Sequence, residues 1–166
     1  MEKMIVDLRD NPGGLLDSVC DVLRKILPEG LIVYTEDKDG NREEEKCDGK
    51  NELRIPLAVL VNESSASASE IFAGAVQDYG IGTIVGTTTF GKGVVQSIRQ
   101  LSDGSAIKLT VANYYTPKGN NINKTGIKPD IEVSLDTRLL NKNKDEITHE
   151  EDNQLQEAFK AVEKEK

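Results

Sequence analysis

Apolar and polar positions along this chain switch between two periods, and each switch marks an element. Met4-Ile5-Val6-Asp7-Leu8 reads as a strand, and Arg9-Asp10-Asn11-Pro12-Gly13-Gly14 as a turn. Leu15, Leu16, Val19, Val22, Leu23, Ile26 and Leu27 then recur at helical spacing until Pro28-Glu29-Gly30 closes the helix. Leu31 to Thr35 is a second strand, Asp39-Gly40-Asn41 a turn, and Arg42 to Lys46 a charged, exposed return strand. The uninterrupted apolar run Pro56 to Val61 predicts a buried strand. Ala68, Ile71, Phe72, Ala75, Val76 and Tyr79 give the next helix its apolar face. Thr83 to Val85 is a short strand, and Val94 to Leu101 with Ala106 to Tyr115 form strands joined by a turn at Ser102–Ser105. Thr116 to Asp130 reads as an ordered loop or short hairpin, and Ile131 to Val133 as a last strand. A core over 1–140, a polar linker over 141–151 and a C-terminal helix over 152–166, marked by Leu155, Phe159 and Val162, complete the reading. The early β-α-β order predicts an α/β domain with parallel pairing, to which the later strands add an antiparallel part.

The buried strand at Pro56–Val61 leads through Asn62-Glu63-Ser64-Ser65-Ala66-Ser67 into a helix, so a serine cluster stands at a strand-to-helix corner. Free N–H groups and the positive end of the helix dipole favour developing negative charge there, as a nucleophile and its oxyanion require. Ser67-Ala68-Ser69-Glu70 also fits the S-x-x-E capping box, in which serine and glutamate satisfy each other's N–H groups. The glycine pair Gly13-Gly14 admits the same two readings. It is a tight turn, or a place where backbone N–H groups face a ligand.

Composition narrows the chemistry. A formal net charge of −8 argues against binding a phosphate backbone. Of the two cysteines, Cys20 falls on the apolar side of a helix and Cys47 in a polar, surface-like segment. Two are too few for a disulfide framework. His149 is the only histidine and lies in a charged stretch, a poor foundation for a Ser-His-Asp triad. Metal-ligand spacing is absent.

Gly86-Thr87-Thr88-Thr89-Phe90-Gly91-Lys92-Gly93 approaches a phosphate-binding P-loop, but Gly93 stands where the magnesium-binding hydroxyl belongs and a strand follows in place of a helix. Lys92 is instead flanked by glycines and by Phe90, Val94 and Val95. Burial disfavours a charged ammonium, and a neutral lysine amine is a competent general base for a serine. In an extended segment Lys92, Val94 and Gln96 share a face, which brings the Gln96 amide within reach of the lysine.

Taken together, Asp7 to Gly14, Ser65 to Ile71, Phe90 to Gln96, Thr116 to Gly119 and Gly126 to Asp130 resemble the carboxy-terminal processing, or tail-specific, protease family of Ser-Lys endopeptidases. The resemblance implies Ser67 as nucleophile, Lys92 as general base 25 positions on, and Gln96 orienting the lysine. It further implies an oxyanion hole from the N–H of Ala68 and one from Gly13-Gly14, a crotonase-like α/β core, and no metal or organic cofactor. Its implied partners are protein substrates with apolar C-terminal tails and a PDZ domain upstream of the core, and its implied location is extracytoplasmic. The chain starts in the strand before Asn11-Pro12-Gly13-Gly14, as a piece of a longer enzyme would. Two other readings share the architecture: a non-catalytic ligand- or peptide-binding domain, and a crotonase-like acyl-CoA enzyme, for which no coenzyme A-binding feature is visible.

Overall fold

The computed structural model describes residues 1–143 and 146–164. The chain runs through β1 (Met4–Asp7), α1 (Leu16–Leu23), β2 (Glu29–Asp37), β3 (Arg42–Asp48), β4 (Leu57–Val61), α2 (Ala68–Tyr79), β5 (Thr83–Gly86), β6 (Val94–Gln100), β7 (Ala106–Tyr115), β8 (Ile131–Glu132) and α3 (Asn153–Lys164). Two four-stranded sheets result. One is parallel, ordered β1-β4-β5-β8, and the other is antiparallel, ordered β3-β2-β7-β6. The mixed α/β architecture is the one that the order of periods predicts.

β4 lies inside the parallel sheet with all five residues buried, which is why its sequence is a continuous apolar run with no alternation. Its side chains feed two cores. Leu57, Val59 and Val61 face α1, α2 and the antiparallel sheet, in a core that includes Leu23, Leu27, Ile32, Phe72 and Val76. Ala58 and Leu60 face the other way, with Val85, and pack against Ala158, Ala161 and Val162 of α3. Each Leu, Ile, Val or Phe side chain so buried contributes about 1.5–3 kcal/mol. Helix α2 touches both sheets, through β5 and β2, and ends at Gly80 in the left-handed conformation (φ 66°).

One expectation is corrected. Cys47 is buried, not at the surface: β3 turns its charged residues outward, while the Cys47 thiol turns inward beneath α1 and donates to the Leu27 carbonyl at 3.4 Å. Phe159 is 42% exposed, because α3 meets the sheet on its small residues, Ala158 and Ala161. Of the segment 141–151, residues 144 and 145 lie outside the described residues.

Candidate active site

The parallel sheet brings the Asp10–Gly14 turn, which follows β1, beside the serine corner, which follows β4. The Asn11 carbonyl accepts the Ala66 N–H and the Ser69 hydroxyl, both at 3.0 Å. Ser65 donates its hydroxyl to the Leu8 carbonyl at 2.7 Å and accepts the Asn62 N–H at 2.9 Å. Ser65 and Ser69 are thereby committed to holding the corner together. Ser67, between them, is partly exposed and carries the strain: φ 56°, ψ −115°, a left-handed backbone on a residue other than glycine. A strained strand-to-helix turn is how a nucleophile's hydroxyl is raised above a sheet.

Ser67 is the N-cap of α2 and Glu70 is its N3 partner, as the capping box predicts. The cap is only part of what Glu70 does. Its side chain is fully buried, and four donors converge on it. Oε2 accepts the N–H of Ser67 at 2.9 Å and the N–H of Lys92 at 2.8 Å. Oε1 accepts the Thr89 hydroxyl at 2.6 Å and the Gly91 N–H at 2.7 Å. Thr89 Oγ1 in turn accepts the Ile127 N–H at 2.7 Å, which fixes its own proton on the carboxylate side. The loop that resembles a P-loop thus turns two of its N–H groups, those of Gly91 and Lys92, onto an internal carboxylate. Gly93 completes the seat, since a Cβ at that position would collide with the Asn123 backbone. Glu70 and Thr89 were invisible as site residues in the sequence; the one available signal was the capping box itself.

Lys92 is half-buried. Phe90 does not supply its apolar surroundings, being 65% exposed; Val94 and Val95 are partly buried. Among the described residues no hydrogen bond joins the side chains of Ser67 and Lys92. Gln96 lies on β6 exposed to solvent, and no hydrogen bond links it to Lys92 among the described residues.

The glycine turn reaches the serine directly. Gly13 has φ 95°, and a Cβ on it would stand 2.5 Å from the Ala66 carbonyl oxygen, 2.8 Å from the Ala68 nitrogen and 2.9 Å from the Ser67 Cβ. Only glycine permits that approach. The Gly13 N–H is taken by Asn11 Oδ1 at 2.9 Å. Ala68, at the first position of α2, has no acceptor within the helix. Among the described residues the N–H groups of Ala68 and Gly14 take no hydrogen-bond acceptor.

A cleft of about 260 Å³ opens beside these amides, with Leu8, Leu15, Val19, Val22 and Phe72 as apolar walls and Gly13, Gly14 and Ala68 along one side. A larger cleft, about 690 Å³, lies on the α3 side of the parallel sheet and is lined by neither Ser67 nor Lys92. His149 lines that second cleft, so the histidine and the serine corner belong to different places. Cys20 is fully buried, and burial pushes its thiol up to about 11, which leaves no thiolate nucleophile there. Among the described residues no group of three or more His, Cys, Asp or Glu side chains could hold a metal ion.

A serine at a strained helix N-terminus, the Gly13 turn packed against it and a lysine segment tied to the same helix thus meet at one corner of the parallel sheet. The sequence model described as Peptidase family S41 matches residues 1–133, and the chain belongs to that family. It is 52% identical over 126 residues to a carboxyl-terminal-processing protease of Synechocystis sp., covering 76% of this chain and 30% of that protein. It is 44% identical over 134 residues to a probable CtpA-like serine protease of Staphylococcus epidermidis, covering 79% and 27%. Among solved structures, the photosystem II D1 C-terminal processing protease superposes with a TM-score of 0.76 at 42% identity, over 81% of this chain and 35% of that one. The chain thus spans just under a third of the length of the curated relatives it matches.

Proposed function

We propose that this chain carries the catalytic core of a serine endopeptidase that cleaves protein substrates near their C-termini. The observation that carries the reading is the shared Glu70 carboxylate, which ties the Ser67 and Lys92 backbones to one oxygen. In the reaction, the Lys92 amine takes the Ser67 hydroxyl proton as Oγ attacks a peptide carbonyl carbon. The tetrahedral oxyanion forms against the N–H groups of Ala68 and Gly14, in the turn that Gly13 brings close. Lys92 returns its proton to the leaving amine as the C–N bond breaks. Water, deprotonated by Lys92, then releases the acyl group and restores Ser67. Gln96 orients the lysine when a bound substrate draws β6 and the Lys92 segment together.

The apolar cleft beside Ala68 takes the side chain of the residue whose carbonyl is attacked. The preferred substrate is accordingly an unstructured chain with an apolar C-terminal tail, held by a PDZ domain upstream of this core in an extracytoplasmic enzyme. The second reading, a peptide-binding domain on the same fold, draws on the solvent-exposed position of Gln96. An activated ester separates the two. Acid quenching during turnover of a p-nitrophenyl ester, followed by mass spectrometry, is expected to trap an acyl group on Ser67. Ester binding without an adduct would leave only the binding domain.

A further inference from the structure

The residue before the strained turn is Arg9, and its side chain is only 13% exposed. Its Nε donates to both Asp7 oxygens, at 3.0 and 3.2 Å. Its Nη2 donates to Asp7 Oδ2 at 2.7 Å and Asp152 Oδ2 at 2.8 Å. Its Nη1 donates to Asp152 Oδ1 at 3.1 Å and Gln154 Oε1 at 3.0 Å. Asp152 is at the same time the cap of α3, accepting the Leu155 N–H at 3.0 Å. Gln154 donates to the Val133 carbonyl, just past β8, at 2.8 Å. One guanidinium therefore joins the end of β1, the start of α3 and the far edge of the parallel sheet. A fork seated against a carboxylate in two places is among the stronger polar contacts available to a protein.

Burial works against a charged Asp152, yet hydrogen bonds from Arg9 and the Leu155 N–H outweigh it and hold the carboxyl below its ordinary 3.8. Next along the chain, Asp10 sits at φ 58° and is braced to Asn62 by two bonds of 2.9 Å, one in each direction. A left-handed residue other than glycine persists only where its surroundings over-determine it. Arg9 on one side and Asn62 on the other supply that constraint, and the turn they fix carries Gly13 and Gly14 against Ser67 and Ala68. Helix α3 lies beyond residues 1–133, the span matched by the family.

We propose that α3 is a positioning element for the Asp10–Gly14 turn, acting through the Arg9–Asp152 pair, and that Arg9 and Asp152 are positioning residues for the amides beside Ser67. Its catalytic consequence rests on the serine reading given above; its structural consequence does not.

The test uses Asp152→Asn and Arg9→Lys. Asparagine still caps a helix, so the first variant keeps the Leu155 bond and removes the charge that Arg9 grips. The second keeps the charge and removes the fork. Amide hydrogen exchange is read at Asn11, Gly13 and Ala66, whose N–H groups are bonded to Leu8, Asn11 and Asn11, with the β4 amides as internal reference. Acylation by the p-nitrophenyl ester is measured on the same samples. Both variants are expected to exchange about tenfold faster at the turn, with β4 unchanged, and to lower the saturating acylation rate about tenfold with little change in KM. Turn amides exchanging as in the parent chain would overturn the proposal, and so would a loss of protection spread equally over β4. Faster exchange at the turn in a chain that never acylates would uphold the clamp and remove the serine reading.

Discussion

The backbone N–H groups of Ser67 and Lys92, 25 positions apart, end on a single oxygen, Glu70 Oε2, at 2.9 and 2.8 Å. A fully buried carboxylate thus sets the spacing between the two segments on which the proposed chemistry depends. The frame that would carry the proposed dyad is thus made by main-chain bonds to one side chain.

Glu70→Gln tests that frame. The amide would turn an NH₂ group toward two donors, either those on Oε1 or those on Oε2, and leave buried N–H groups unpaired. A loss of about 1–3 kcal/mol is expected in urea unfolding, because an orphaned buried donor costs its full desolvation. Cleavage should fall by at least the factor of about 10² that misplacing a reacting group entails. Glu70→Gln with the parent's midpoint and activity would refute the frame.

Thr89→Val removes the hydroxyl between Ile127 and Glu70 while keeping the volume. The Ile127 N–H loses its acceptor, so the variant should lose about 1–3 kcal/mol of stability. Thr89→Ser, which restores the relay, is expected to recover most of it.

Gly13→Ala would place a Cβ 2.5 Å from the Ala66 carbonyl at a φ that L-residues avoid. The turn must then move away from Ala68. Loss of an oxyanion donor costs about 10²–10³ in kcat, and acylation of Gly13→Ala should fall within that range. Gly14→Ala, with open space above it, should retain the fold while crowding the cleft.

Val19→Phe fills the cleft beside Ala68. One methylene more or less in such a pocket is worth about 10–200-fold in discrimination. The variant should turn over substrates with alanine at the cleavage site in preference to those with leucine, read as a reversed ratio of kcat/KM.

Acid should loosen the α3 clamp. The Asp152 carboxyl is held below 3.8 in the folded chain, so its stabilising effect is present above that value and lost as pH falls through the depressed one. Urea midpoints measured from pH 6 down to pH 2 should decline less in Asp152→Asn than in the parent.

Much of this was legible in the sequence, for identifiable reasons. The continuous apolar run of β4 can only be a strand buried on both faces, and a serine cluster directly after it must fall on the strand-to-helix corner. The glycine pair Gly13-Gly14 left a plain turn and a close approach both open, and Gly13 makes the close approach. What stayed hidden depends on partners distant in sequence. A capping-box glutamate signals only its bond to Ser67; its bonds to Thr89, Gly91 and Lys92 come from a loop 19 to 22 positions away. The Arg9–Asp152 pair spans 143 positions. Cys47 misled because its neighbours on β3 are charged and face outward, so the local composition describes the wrong side of the strand.

The most direct test of the central claim is cleavage of an unstructured protein with an apolar C-terminal tail by this chain, by Ser67→Ala and by Lys92→Ala. The account predicts turnover by the parent chain that vanishes in Ser67→Ala and falls by about 10²–10⁴ in Lys92→Ala, with the circular dichroism of all three alike. Cleavage that survives Ser67→Ala would contradict it.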